Sequence, residues 1–118
     1  MANTFKNKVT AGIGSSVQTV YTCPSSTTSV VIGVTLCNLK TTGVEGTLAL
    51  TDDSASATVS ILKSAPIPSG SSIIAVGGEQ KIVLEAGDAL KVTASEASAI
   101  DVTLSAVSYT HLTLPTTD

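Results

Sequence analysis

The stretch that most restricts what this chain can fold into is Gln80 to Ala106, QKIVLEAGDALKVTASEASAIDVTLSA. From Ile100 onward, Ile100, Val102 and Leu104 alternate with Asp101, Thr103 and Ser105, a period of two that gives a β-strand one wet and one dry face. Leu90, Val92 and Ala94 alternate in the same way with Lys91, Thr93 and Ser95. Between these runs lie Ala86-Gly87-Asp88 and Glu96-Ala97-Ser98, small and acidic residues suited to tight connections. The stretch therefore predicts three short strands and two turns.

The rest of the chain reads in the same idiom. Phe5, Val9, Ala11 and Ile13 share one side of a first strand, with Lys6, Lys8 and Thr10 on the other. Gly14-Ser15-Ser16 turns into a second strand, Val17 to Cys23, which Pro24 ends because proline has no N–H for a ladder. Ser29 to Leu39 is a central strand with Val30, Ile32, Val34 and Leu36 on its main face and Val31 on the other. Lys40 to Gly46 is a loop, Thr47 to Thr51 a strand, Asp52 to Ala57 a polar connection, and Thr58 to Ser64 a strand with Val59 and Ile61 inward. Ala65 to Ser72 carries two prolines and a glycine and reads as an extended connection. Ser72 to Val76 is again a strand, and Gly77-Gly78-Glu79-Gln80 turns the chain into the opening stretch.

About nine short strands, with no window at helical spacing, predict an all-β fold: a single-domain antiparallel β-sandwich, Ig-like or jelly-roll. A chain of 118 residues suits one domain. The composition agrees, 42% hydrophobic but only 3% aromatic, so its apolar content is aliphatic and well fitted to pleated surfaces.

Several classes of function lose support. The net charge is −3 and no arginine occurs, which argues against nucleic-acid binding through basic patches or the guanidinium fork. The three aromatic residues, Phe5, Tyr21 and Tyr109, offer little for stacking bases or sugars. The longest apolar run, Ile73 to Val76, is far short of the roughly 18 residues of a membrane helix. The polar opening MANTFKNK lacks the apolar run of a secretory signal, so synthesis and retention in the cytoplasm are expected.

Cys23 and Cys37 could form a disulfide or remain thiols. If Val17 to Cys23 and Val30 to Cys37 are neighbours in a hairpin, the cysteines fall at opposite ends, roughly 20 Å or more apart and too far to bridge. Two reduced, largely buried thiols are expected.

Chemistry-bearing constellations are scarce. Asp52-Asp53 lacks the further oxygen ligands of a calcium loop and reads as a solvated turn. Glu85 and Asp88 flank Gly87 as exposed acids of a turn. Two cysteines and His111 serve zinc poorly. Gly12-Ile13-Gly14 lacks the rest of a phosphate-binding fingerprint, and no G-x-S-x-G elbow occurs. No catalytic, cofactor-binding or metal site is predicted, and an enzyme is not expected.

Apolar residues do remain over. Val20, Val31, Leu62, Ile74 and Val83 sit out of phase with their strands' main dry faces. They either lie on outer faces as subunit contacts or pack beneath loops. Val107 to Thr117, VSYTHLTLPTT, breaks the preceding pattern and looks like the in-frame translation of a transposon-end sequencing adapter. That likeness places the end of the domain near Ala106.

The opening MANTFKNKV, the middle APIPSGSSIIAVGGEQKIVLEAGDALKV and the later SEASAIDVTLSAV resemble small virion structural proteins of tailed bacteriophages, especially of marine cyanophages. The likeness spans Met1 to about Ala106, and its most specific part is the P-x-G-S-S, G-G-E-Q-K-I-V-L and G-D-A-L-K-V-T succession. It implies a many-copy particle component, a head decoration, neck or tail part, with itself and other virion proteins as partners and no enzymatic role. It defines no functional residues to carry over. The expectation from another class is a receptor- or glycan-binding module of a fibre or cell surface.

Overall fold

The computed structural model describes residues 2–110. Nine strands form: β1 (Ala2–Ile13), β2 (Gln18–Thr22), β3 (Thr27–Asn38), β4 (Val44–Asp52), β5 (Ala57–Ile67), β6 (Ser72–Val76), β7 (Ile82–Leu84), β8 (Ala89–Ala94) and β9 (Ile100–Thr110). Two antiparallel sheets face each other, one ordered β1-β9-β3-β6 with β7 also on β3, the other β2-β8-β4-β5. Since β6 and β7 both pair with β3, beyond its contact with β9, they occupy one edge position in two pieces. Nearly every connection then crosses from one sheet to the other, the strand order of a jelly roll. The predicted all-β sandwich is the observed fold.

The strands of the Gln80 to Ala106 stretch form as their alternation predicts. Leu90 and Val92 of β8 and Ile100, Val102 and Leu104 of β9 all point into the core, where they meet Leu36 and Val34 from β3, Leu48 from β4 and Leu84 from β7. β9 lies at the centre of its sheet, hydrogen-bonded to β1 on one side and β3 on the other. It continues past Ala106 through Val107, Ser108, Tyr109 and Thr110, which pair with both neighbours. The strand thus overruns the boundary expected at Ala106, while His111 and the remainder of the tail lie outside the described residues.

Where side chains point the wrong way for a simple period of two, a β-bulge is responsible, because one extra residue inverts the phase beyond it. The register shifts between Thr19 and Tyr21 of β2, so Val20 and Tyr21 are both buried. It shifts between Val31 and Gly33 of β3. Val31 is therefore a core residue at 0% exposure, while Val30 and Ile32, expected on the main dry face, are turned outward and half-buried. On β5, Leu62 faces Leu48 across an irregular ladder and packs against the core. Of the alternatives of outer face and packing beneath loops, neither holds for Val20 and Val31, which are core residues, and Leu62 is half-buried against the core. Val59, expected inward, is instead exposed.

β1 shows the largest inversion. Its register shifts between Thr10 and Ile13, and Gly12 takes a left-handed backbone, φ +67°, that glycine adopts without penalty. The Gly12 N–H donates to Asp101 Oδ1 at 2.9 Å. Ile13 turns into the core, whereas Phe5 and Val9 are exposed. The expectation that Phe5, Val9, Ala11 and Ile13 share one side fails at this bulge.

Two boundaries differ for clear reasons. β5 includes Pro66, read from sequence as part of a connection. β5 is an edge strand, where a missing N–H leaves no neighbour unpaired. The expected β2–β3 hairpin does not form, since β2 pairs with β8 in the opposite sheet. Cys23 and Cys37 are nevertheless both free thiols, the first buried and the second half-buried. In the absence of reductant, a thiol reagent should titrate two groups in denaturant. In the native protein only Cys37 should react quickly. A count of none in denaturant would contradict the arrangement.

Candidate functional site: a neutral outer sheet face

The two outer faces of the sandwich differ in kind. On the β2-β8-β4-β5 sheet, the register places Lys91 beside Ala49 and Thr19, and Thr93 beside Thr47, with Glu45 and Lys63 exposed on the same sheet. That face is polar and charged, as a solvated face should be.

The other sheet is built differently. Phe5 of β1, Val107 of β9, Val30 of β3 and Val83 of β7 stand opposite one another in a continuous row across four strands. A second row runs Val9, Thr103, Thr35, Ile74. Between them lie Asn7, Ser105 and Gly33, with Ile32 beside them around a shallow depression that Phe5 and Asn7 also line. The end row is Asn3, Tyr109 and Thr28. None of the residues in these rows is charged, although Lys6 borders the depression from the alternate phase of β1, and Asp101 at the rim accepts from the Gly12 N–H. Phe5 is 76% exposed, Ile74 73%, Val9 66% and Val83 60%. Large apolar side chains gathered on one sheet face, four of them mostly open to water, are the usual mark of a contact surface.

Of the five residues singled out by sequence, the face holds Ile74 and Val83. Phe5, Val9, Val30 and Ile32 are turned to this face by the bulges of β1 and β3, and Val107 belongs to the segment that the sequence placed beyond the domain. A signal for Phe5 was present: it alternates with Lys6 and Lys8, whose register partners are the core residues Ala106 and Leu104. Those lysines overhang a cleft of about 410 Å³ between β1 and β2, lined also by Thr19, Tyr21, Thr22 and Pro24. The cleft has no carboxylate, thiol or imidazole among its lining residues, so it brings together no acid, base and nucleophile.

The ionisable residues elsewhere have structural partners. Asp88, expected as an exposed acid, is 4% exposed. Its Oδ1 accepts from the Asp53 N–H and its Oδ2 from the Glu85 N–H, each at 2.9 Å, which ties the β4–β5 turn to the β7–β8 turn. Asp52 closes the β4–β5 turn through Oδ1, which accepts from Ser54 Oγ at 2.8 Å and the Ala55 N–H at 3.1 Å. The Ser54 hydroxyl, with help from the Ala55 amide, holds the Asp52 carboxyl below its ordinary pKa. The Asp52-Asp53 pair thus acts in the turn. Among the described residues, no group of three His, Cys, Asp or Glu side chains is placed to hold a metal ion.

One buried polar knot joins the sheets. Tyr21 Oη and Ser29 Oγ are 2.7 Å apart, and Ser108 Oγ lies 3.4 Å from each. The Cys23 thiol points at the Thr27 carbonyl, 3.3 Å away. Every hydroxyl here is engaged, so the cluster serves cohesion. Tyr21→Phe should lower stability by about 1 kcal/mol, read as a shift in urea midpoint at unchanged slope.

No protein-family model matches the chain, and no curated protein matches it. Among solved structures, the fold is similar to that of the disulfide-linked pili formed by Bacillus endospore appendages, at 14% identity and a TM-score of 0.50, covering 95% of this chain and 93% of that one. A capsid chain from virus-like particles of the extra small virus of the giant freshwater prawn Macrobrachium rosenbergii matches at 13% identity and a TM-score of 0.40, covering 92% of this chain and 79% of that one. The first of these likenesses is one of fold.

Proposed function

We propose that this protein is a non-enzymatic virion structural protein of a tailed bacteriophage, a head decoration, neck or tail component that acts through contacts between subunits. Fold alone does not fix function. The observation that carries the reading is the asymmetry of the two outer faces: one charged and suited to water, the other an uncharged array of Phe5, Val9, Ile74 and Val83 standing exposed. A component that is always surrounded by neighbours can keep such a face, and modest contacts gain strength when a particle offers many sites at once. The resemblance of the MANTFKNKV, APIPSGSS and GGEQKIVL segments to phage virion proteins supplies the phage part of the reading.

The test is direct. Gradient-purified phage particles from the source sample should contain peptides of this chain at many copies per particle, measured by quantitative mass spectrometry. Its absence from the particle fraction, with presence in the free cell lysate, would remove the virion reading. Saturable binding on a glycan array would favour a receptor-binding module instead.

A further inference from the structure

We infer that the neutral face of the β1-β9-β3-β6/β7 sheet is covered by the same face of a second copy of this chain, packed face to face about a two-fold axis. The inference rests on the building-block reading and deepens it by naming the surface and its occupant.

Three observations select that occupant. The first is charge. The rows of the face, Asn3, Phe5, Asn7, Val9, Thr28, Val30, Ser105 and their register partners, hold no charged residue, and Lys6 only borders the central depression from the other phase of β1. A charged partner surface would lose hydration against it and gain no counter-charge. The opposite sheet of a neighbouring copy presents Lys91, Glu45 and Lys63 and is unsuitable for that reason. The same face is uncharged and apolar in matching proportion, and a two-fold contact needs a patch complementary to itself.

The second is size. Four strand positions at about 4.8 Å spacing, and the rise from Asn3 to Ala11 at about 3.4 Å per residue, give about 500 Å² per copy. The pair would bury about 1,000 Å², the lower bound for a specific interface. Such a contact is weak for two isolated copies and adequate when repeated.

The third is the alternative that the lysines exclude. β1 is an edge strand, and an open edge invites a second strand. A two-fold that continued the sheet through β1 would set Lys6 and Lys8 against their own copies on one side of the joined sheet. Like charges directly opposed across strands repel, so the edge is guarded while the face is not.

Sedimentation velocity on the full chain, from about 10 μM to about 1 mM, tests this. The wild type should show a reversible monomer–dimer equilibrium. Phe5→Asp and Ile74→Lys should each weaken it about thirty-fold or more, as removal of a central anchor does. Thr93→Lys on the charged face and Lys8→Glu on the edge should leave it unchanged. Circular dichroism melts establish that each variant is folded, and Phe5→Ala replaces Phe5→Asp if the latter is not.

A wild type that stays monomeric throughout overturns the inference. So does association that survives the two face substitutions, or that Lys8→Glu strengthens, which would mark edge pairing. The building-block reading fails separately, on absence of the chain from purified particles, so the two failures are told apart.

Discussion

Leu36→Ala should lower the stability of the domain by about 3 to 5 kcal/mol, near the upper end for a buried leucine. Leu36 is fully buried on β3, and β3 pairs with β9, β6 and β7. The site is also poor at collapsing. Leu36 Cδ1 sits 3.3 Å from where a Cβ on Gly46 would be, beside Ile67 Cδ1 at 3.3 Å and Ile100 Cδ1 at 3.1 Å. These three side chains, Leu36 and Ile100 from one sheet and Ile67 from the other, close over the bare Gly46 of β4, which has nothing to swing into the space left behind. A cavity that does not shrink keeps its full penalty. A domain of this size has about 5 to 15 kcal/mol in hand, so the variant should unfold at a markedly lower urea concentration. A loss below about 1 kcal/mol would mean that the two sheets slide together more readily than their packing indicates.

Asp88→Ala should destabilise by about 3 kcal/mol, from a residue that reads as an ordinary turn acid. The carboxylate is buried and accepts from two backbone N–H groups in different turns. Hydrogen bonds to a charged group contribute about 1.5 to 3 kcal/mol each, and removing one partner strands the donors. The backbone beside it has little freedom to adjust. Gly87 has φ +89°, and a Cβ there would meet Asp53 Oδ2 at 2.8 Å. Its N–H also donates to the Cys23 carbonyl at 3.0 Å. Hydrogen exchange offers a specific readout, because the amides of Asp53 and Glu85 should lose protection ahead of the core strands. Asp88→Asn should recover only part of the loss, since an amide nitrogen cannot accept the second N–H. Retained protection at both amides in Asp88→Ala would show that the turns hold without the carboxylate.

How much of this was legible follows from what each signal reports. Alternation marks strands, and it located β8 and β9 well because both are regular where they face the core. It carries no information on which strands are neighbours, so the order of the sheets and the separation of β2 from β3 were invisible. Bulges are a second blind spot. Val20, Val31 and Leu62 look surplus to their strands, and each lies at or next to a register shift, the first two in the core and Leu62 half-buried against it. Phe5 and Val9 looked inward and prove to be outside. The candidate contact face was therefore only half legible, through Ile74, which sits next to a register shift between β6 and β3, and Val83. Asp88 departs from its expected exposure for another reason: its burial comes from the meeting of two turns that lie far apart in sequence.

The pairing of Ala2 with Thr110 and of Ile13 with Ile100 fixes the order of events during synthesis. The middle strand of the larger sheet is the last of the nine to be made, and until it arrives the first strand has nothing to lie against and β3 lacks one of its flanks. The sandwich cannot close piece by piece as the nascent chain emerges. It must wait, with its aliphatic segments uncovered, and then assemble through contacts between distant parts of the chain, a slow kind of folding that leaves time for mispairing. Abundant production of such a protein would place its demand on chaperones in the interval before β9 emerges.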